Sequence, residues 1–225
     1  MLDRTSTREI ILLTAETLFA EKGIDDVSVR QINLAAGQKN SSAAQYHFGT
    51  KDDLVVSIFD YRMEAINHRR SQLVDEICNV GREKDLRALV GAVVYPLAEL
   101  MTVKRDANNY VRFVAQVNNH PRYDKISRSR GRVGESLKRV MDFMVRSLKD
   151  IPDDVFKQRF GMMLRQVFSE LAAYQRQHLF KRHKSLKELD FLIGNLIDIN
   201  TAALSAPIQY AKKAQLSKRR KIQHK

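Results

Sequence analysis

Apolar residues recur at helical spacing along most of the chain. Near the start, Ile11, Ala15, Leu18 and Phe19 fall at i, i+4, i+7 and i+8, one apolar face of a helix from about Thr5–Thr7 to Lys22, with Gly23 at its end. Ser28 and Gln31 have capping-box spacing and open a second helix through Ile32 to Ala36, with Gly37 as the turn. A short third helix is expected from about Asn40 to Phe48, where Asn40, Ser41 and Ser42 offer side-chain oxygens to the free amides of a helix start. Thr50 then caps a long fourth helix to about Ile77, with Asp52 and Asp53 in its dipole-favoured first turn. Further helices are predicted near 84–102, 108–119, 121–149, 153–179 and 186–206. Pro96 should kink the fifth, while Pro121 and Pro152 mark helix starts. Alternating β patterns are nearly absent, so the chain reads as all-α.

Residues 28–48 form a helix-turn-helix candidate. In such a unit the first helix braces the second, and the second enters the major groove of DNA. Ile32, Ala35, Ala36 and Ala44 suit the crossing, being apolar or small. Lys39, Ser41, Ser42, Gln45, Tyr46 and His47 can reach base edges and phosphates.

The run from Ile11 to Gly23, Ile-Leu-Leu-Thr-Ala-Glu-Thr-Leu-Phe-Ala-Glu-Lys-Gly, resembles the first helix of the TetR family of bacterial repressors. Ser28 to Ile32 with Ala35-Ala36-Gly37 resembles its second, and Tyr46 to Lys51 with Leu54 the end of its recognition helix and the start of its fourth. The resemblance covers about residues 8–60. It implies a homodimeric, ligand-responsive repressor: an N-terminal three-helix DNA-binding domain (1–50), a C-terminal helical effector-binding and dimerisation domain (51–206), and a basic tail (207–225) that reads as disordered. By position, Ser41, Ser42, Ala43, Gln45, Tyr46 and His47 fall where the family contacts DNA, Ala44 on a buried site, and Lys51 where phosphate is commonly touched. Ten residues separate Gly37 from Phe48, one more than is usual, so the turn is longer by one.

The formal net charge of +13 sharpens this less than expected. Residues 1–50 carry net −1 and residues 51–80 net −2, whereas 81–150 and 207–225 each carry +7. What distinguishes the motif is local. No acid occurs between Asp26 and Asp52, and Arg30, Lys39 and Lys51 fall in that window, which adds them to the DNA-binding candidates. Cys78 is the single cysteine, which excludes a disulfide framework. No metal-ligand spacing or placed nucleophile is visible, so neither a metal, a cofactor nor an enzyme is expected. No stretch approaches the ~18–20 apolar residues of a membrane helix, and no apolar leader opens the chain. A cytoplasmic protein without membrane contact is expected.

Tyr95, Met101, Tyr110, Phe113, Val117, Phe143, Met144 and Phe168 are candidates for lining an apolar effector pocket, with ordinary core as the plainer reading. Arg122, Lys125, Arg128, Arg130 and Arg132 form a basic cluster, either a solvated helix start or a seat for an anionic effector. Phe160, Val167, Leu171 and Tyr174, then Leu189, Leu192, Ile193, Leu196 and Ile197, form stripes suited to a four-helix dimer interface or to packing within the chain. Double-stranded DNA with a pseudo-palindromic operator is the expected macromolecular partner. Two other readings stay open. One is a helical small-molecule-binding protein or enzyme whose N-terminal motif is structural. The other is an architectural nucleic-acid binder that depends on the tail.

Overall fold

The computed structural model describes residues 6–101, 108–123, 134–178 and 186–209. The tail candidates from 210 onward, Lys125, Arg128, Arg130 and Arg132 lie outside these residues. The described residues form α-helices and connecting turns. A reading head is built from α1 (Thr7–Lys22), α2 (Val29–Ala35) and α3 (Ala43–Phe48). Then come α4 (Lys51–Asn79), α5 (Leu86–Glu99), α6 (Tyr110–Asn119), α7 (Glu135–Ser147), α8 (Asp153–Gln177) and α9 (Leu186–Ser205).

The caps explain the sharp starts. Ser28 and Gln31 close their box on α2, and Thr50 closes one with Asp53 on α4. Asp85 accepts from the Ala88 amide and starts α5. Pro152 is the N-cap of α8 rather than its first helical residue. Pro96 lies inside α5, which ends three residues later at Glu99, short of the predicted 102. The predicted helix over 121–149 is represented by one helical turn at 121–123 and by α7.

With 29 residues, α4 is about 43 Å long at ~1.5 Å per residue. Its Leu54, Val55 and Ile58 belong to the core near the reading head, and Ile66, Val74 and Ile77 to the core of the body. The apolar α5 is buried between α4, α7 and α9. α6 packs on α8 and on α1, so α1 shares its core with both halves of the chain. Phe19 of α1 stacks on Phe113 of α6, and Phe59 of α4 lies against Phe113 and Tyr110.

α8 and α9 form an antiparallel pair. Arg159 near the start of α8 donates to the Leu204 and Ala206 carbonyls at the end of α9, and His178 just after α8 pairs with Glu188 near the start of α9. The stripes read as a dimer face are turned inward within the chain. Phe160, Val167, Leu171, Tyr174, Leu189, Ile193, Leu196 and Ile197 are buried, and Leu192 is half-buried. An apolar stripe faces the nearest apolar surface, and here α5 and α6 supply it. The exposed large apolar groups of this pair are Met162, Phe191 and Ile199, on the other side.

Candidate nucleic-acid interface

The start of α3 is held by a residue of α2. Asn33, 1% exposed, accepts from the Ala44 amide at 2.9 Å and donates to the Ser41 carbonyl. Ser42 occupies the N-cap position with no side-chain bond, while Asn40 Oδ1 accepts from the Ser42 amide. Of the expected Asn-Ser-Ser oxygens Asn40 thus serves one amide, while the Ala44 amide goes to Asn33 from across the motif. Gly37, at φ +67°, supplies the left-handed residue of the turn. The extra residue of the turn is absorbed before α3, which begins at Ala43 and not at Asn40.

This places the predicted contact residues as follows. Lys39, Ser41, Ser42, Gln45 and Tyr46 are exposed, and so is Arg30 on α2. Tyr46 is 85% exposed, an extreme value for an aromatic side chain in a folded domain. His47 is half-buried, with its ring edge-on to Tyr46 and to Phe48. Ala43 corrects the expectation: it is buried beside Ala44 and Phe48, because the inward face of so short a helix takes both leading alanines. Lys51 is half-buried. Its ammonium lies 5.8 Å from the Phe19 ring centroid, within reach of Asp25, Asp52 and Asp26, and burial lowers its pKa. The acid-free window in the sequence is therefore not acid-free around Lys51 in space. Arg8, which sequence reasoning did not single out, lies 4.8 Å over the Phe48 ring. Leu34, 79% exposed on α2, breaks the amphipathic pattern without any sequence warning.

Polar contacts join the reading head to the body. Glu16 of α1, 1% exposed, takes Nε and Nη2 of Arg62 at 2.7 and 2.9 Å, and also the Asn109 amide at 2.9 Å. Asn109 donates to Thr17 and accepts from Arg112, which also reaches the Ala20 carbonyl. On the other side His120 meets Asp25, and Arg122 meets Asp52. Arg122 of the basic cluster is thus already paired with an acid at the edge of the reading head.

Of the effector-pocket candidates, Tyr110, Phe113, Val117, Met144 and Met101 are buried in the packed core. Phe143 and Phe168 are half-buried against it, and Phe168 lies edge-on to Tyr110. Tyr95 instead lines an open, mostly apolar groove of about 350 Å³ between α4, α5 and α9, with Leu73, Ile77, Val80 and Ile197. Arg82 and Arg87 stand at that groove, each paired with an acid, Asp85 and Asp198. Among the described residues no group of His, Cys, Asp or Glu could hold a metal, and no helix is long and apolar enough to cross a membrane.

Two family models match the chain. One, for bacterial regulatory proteins of the tetR family, matches residues 11–58, and the other, the tetracyclin repressor-like C-terminal domain, matches residues 91–203. No curated protein matches the chain. Among solved structures, probable transcriptional regulatory protein RHA5900 is 20% identical with a TM-score of 0.54, covering 89% of this chain and 100% of its own. The TetR family transcriptional regulator PfmR from Thermus thermophilus is 19% identical with a TM-score of 0.52, covering 91% and 99%. At these identities the likeness speaks for the fold. With its helix-turn-helix half and its C-terminal half both matched, the chain belongs to the TetR family of bacterial regulatory proteins, transcriptional regulators and not enzymes.

Proposed function

We propose that this regulator is a cytoplasmic, homodimeric repressor that binds a pseudo-palindromic operator through α3 and is released by an apolar small molecule. The observation that carries this reading is the exposed edge of α3. Gln45 and Tyr46 stand in solvent on a helix whose start is fixed by a buried asparagine, so the side chains that can read bases are presented rigidly. Residues 1–50 act as the reading unit and 51–206 as the effector and dimer unit. Arg30, Lys39, Ser41 and Ser42 supply phosphate contacts around α3, with His47 at its base-facing edge.

The second copy docks on the outer side of α8 and α9. Phe191, Asn195, Ile199 and Ala202 are exposed at spacings of four, four and three along α9, and Met162 is exposed on α8. Pairing this side across a two-fold axis makes a four-helix bundle and gives two reading heads. Selection of bound sequences from random duplex DNA tests the reading. The expected result is a two-fold-related consensus. Recovery of no sequence preference would replace the regulator reading with an architectural one.

A further inference from the structure

The body buries an arginine side chain on its longest helix. Arg70 on α4 is 3% exposed, yet among the described residues no carboxylate lies within ion-pair distance of it. Its Nη1 donates to Asn67 Oδ1 at 3.0 Å, and its Nε is buried with no hydrogen-bond partner. Burial pushes the guanidinium down to about 10, which still leaves it charged at neutral pH. Arginines are almost never fully buried unless paired, because an uncompensated charge is poorly solvated in the interior.

The same corner holds the start of α7. Asn67 Oδ1 also accepts from Ser136 Oγ at 3.0 Å, which ties Arg70 to the first turn of that 13-residue helix. Gly134 is the N-cap of α7 and offers no capping side chain. A Cβ at Gly134 would lie 2.3 Å from Asn67 Nδ2, so glycine is what lets the amide sit there. Glu135, the one acid of the first turn, is exposed. The positive end of a helix, a buried guanidinium and an amide donor share one corner, and all three favour an anion. Beside Arg70 lies Tyr110, whose ring contacts Phe59, Phe113 and Phe168.

We infer that Arg70, Asn67 and the start of α7 bind the oxyanion head, carboxylate or phosphate, of an apolar effector. This rests on the effector-release reading above and names its ligand class. The anion compensates the charge that the free protein leaves buried. Because α4 also begins at the reading head, an anion drawn to Arg70 acts on the helix that carries the head.

The test uses the full chain, isothermal titration and four probes: decanoate, decyl phosphate, decanol and inorganic phosphate. Wild type should bind decanoate or decyl phosphate at least tenfold more tightly than decanol, and whichever of the two binds identifies the head group. Inorganic phosphate binding that depends on Arg70 would support the oxyanion seat and locate the affinity in the head alone. Arg70→Met should erase the preference for the anions while melting no lower than wild type, since it removes an unpaired buried charge. Arg70→Lys should keep part of the preference. Equal anion binding by wild type and Arg70→Met, no anion binding by wild type, or a large loss of melting temperature in Arg70→Met would each overturn the inference. Operator binding of the ligand-free protein is measured in parallel. Its loss would count against the regulator reading, whereas intact operator binding without anion binding would count against this inference alone.

Discussion

Arg62 of α4 grips the buried carboxylate of Glu16 of α1 through both Nε and Nη2, at 2.7 and 2.9 Å. Glu16 also accepts from the Asn109 amide ahead of α6, so a single carboxylate joins three parts of the chain. Arg62→Ala should leave that carboxylate buried with only a backbone donor. The expected cost is about 3–5 kcal/mol, the range for breaking a buried pair on one side. Urea unfolding measures it. A loss under about 1 kcal/mol would show the pair to be no stronger than a surface bridge.

Asn33→Ala should damage the interface without damaging the body. It removes the acceptor of the Ala44 amide and the donor to the Ser41 carbonyl, at about 1–3 kcal/mol for buried groups left unpaired. Operator and nonspecific DNA affinity should fall together, because α3 loses its fixed start. A change in base preference alone, at full affinity, would contradict the role given to Asn33.

Gln45→Ala, Tyr46→Ala and His47→Ala should each relax base preference, by about 1–3 kcal/mol per lost good contact. Lys39→Ala should instead weaken all sequences alike and reduce the salt slope of binding by about one. Lys51→Ala should change the slope less, because its ammonium is turned toward Phe19 and the surrounding aspartates. Binding measured over a salt series separates these cases.

The two sides of α9 should respond differently to charge. Phe191→Glu with Ile199→Glu should give a folded monomer, seen as halved mass in sedimentation and unchanged helicity. Ile193→Glu should unfold the body, since Ile193 is buried within the chain. A dimer that survives the double substitution would remove α9 from the interface.

Alkaline pH should weaken the join between head and body. Burial, and then neighbouring Asp52, push the Tyr123 phenol from its ordinary 10 up to about 12. The folded chain keeps a proton that the unfolded chain gives up. The contribution is therefore full below about pH 10 and is lost as pH rises toward about 12. Tyr123→Phe should flatten the fall in stability between about pH 9 and about pH 11 relative to its parent, and urea unfolding at both values checks it.

Local features were legible in the chain alone. The box at Ser28, the Thr50 cap, the Gly37 turn and the length of α4 follow from residues three or four apart, whose interactions need no distant partner. The exposure of Gln45 and Tyr46 has the same local origin, a short helix after a turn. What each face meets was settled only by packing. Periodicity along α8 and α9 announces an apolar stripe, but whether it meets α5 and α6 or a second copy depends on surfaces far away in the chain. The start of α3 went to Asn33 because a buried amide satisfies two backbone groups where Ser42 would satisfy one in water. Glu16 and Asn109 are 93 residues apart, and Arg70 sits on an apolar stripe where a hydrophobic residue would be expected. No spacing rule reaches such pairs, because the free energy of a buried charge depends on its surroundings and not on its neighbours in sequence.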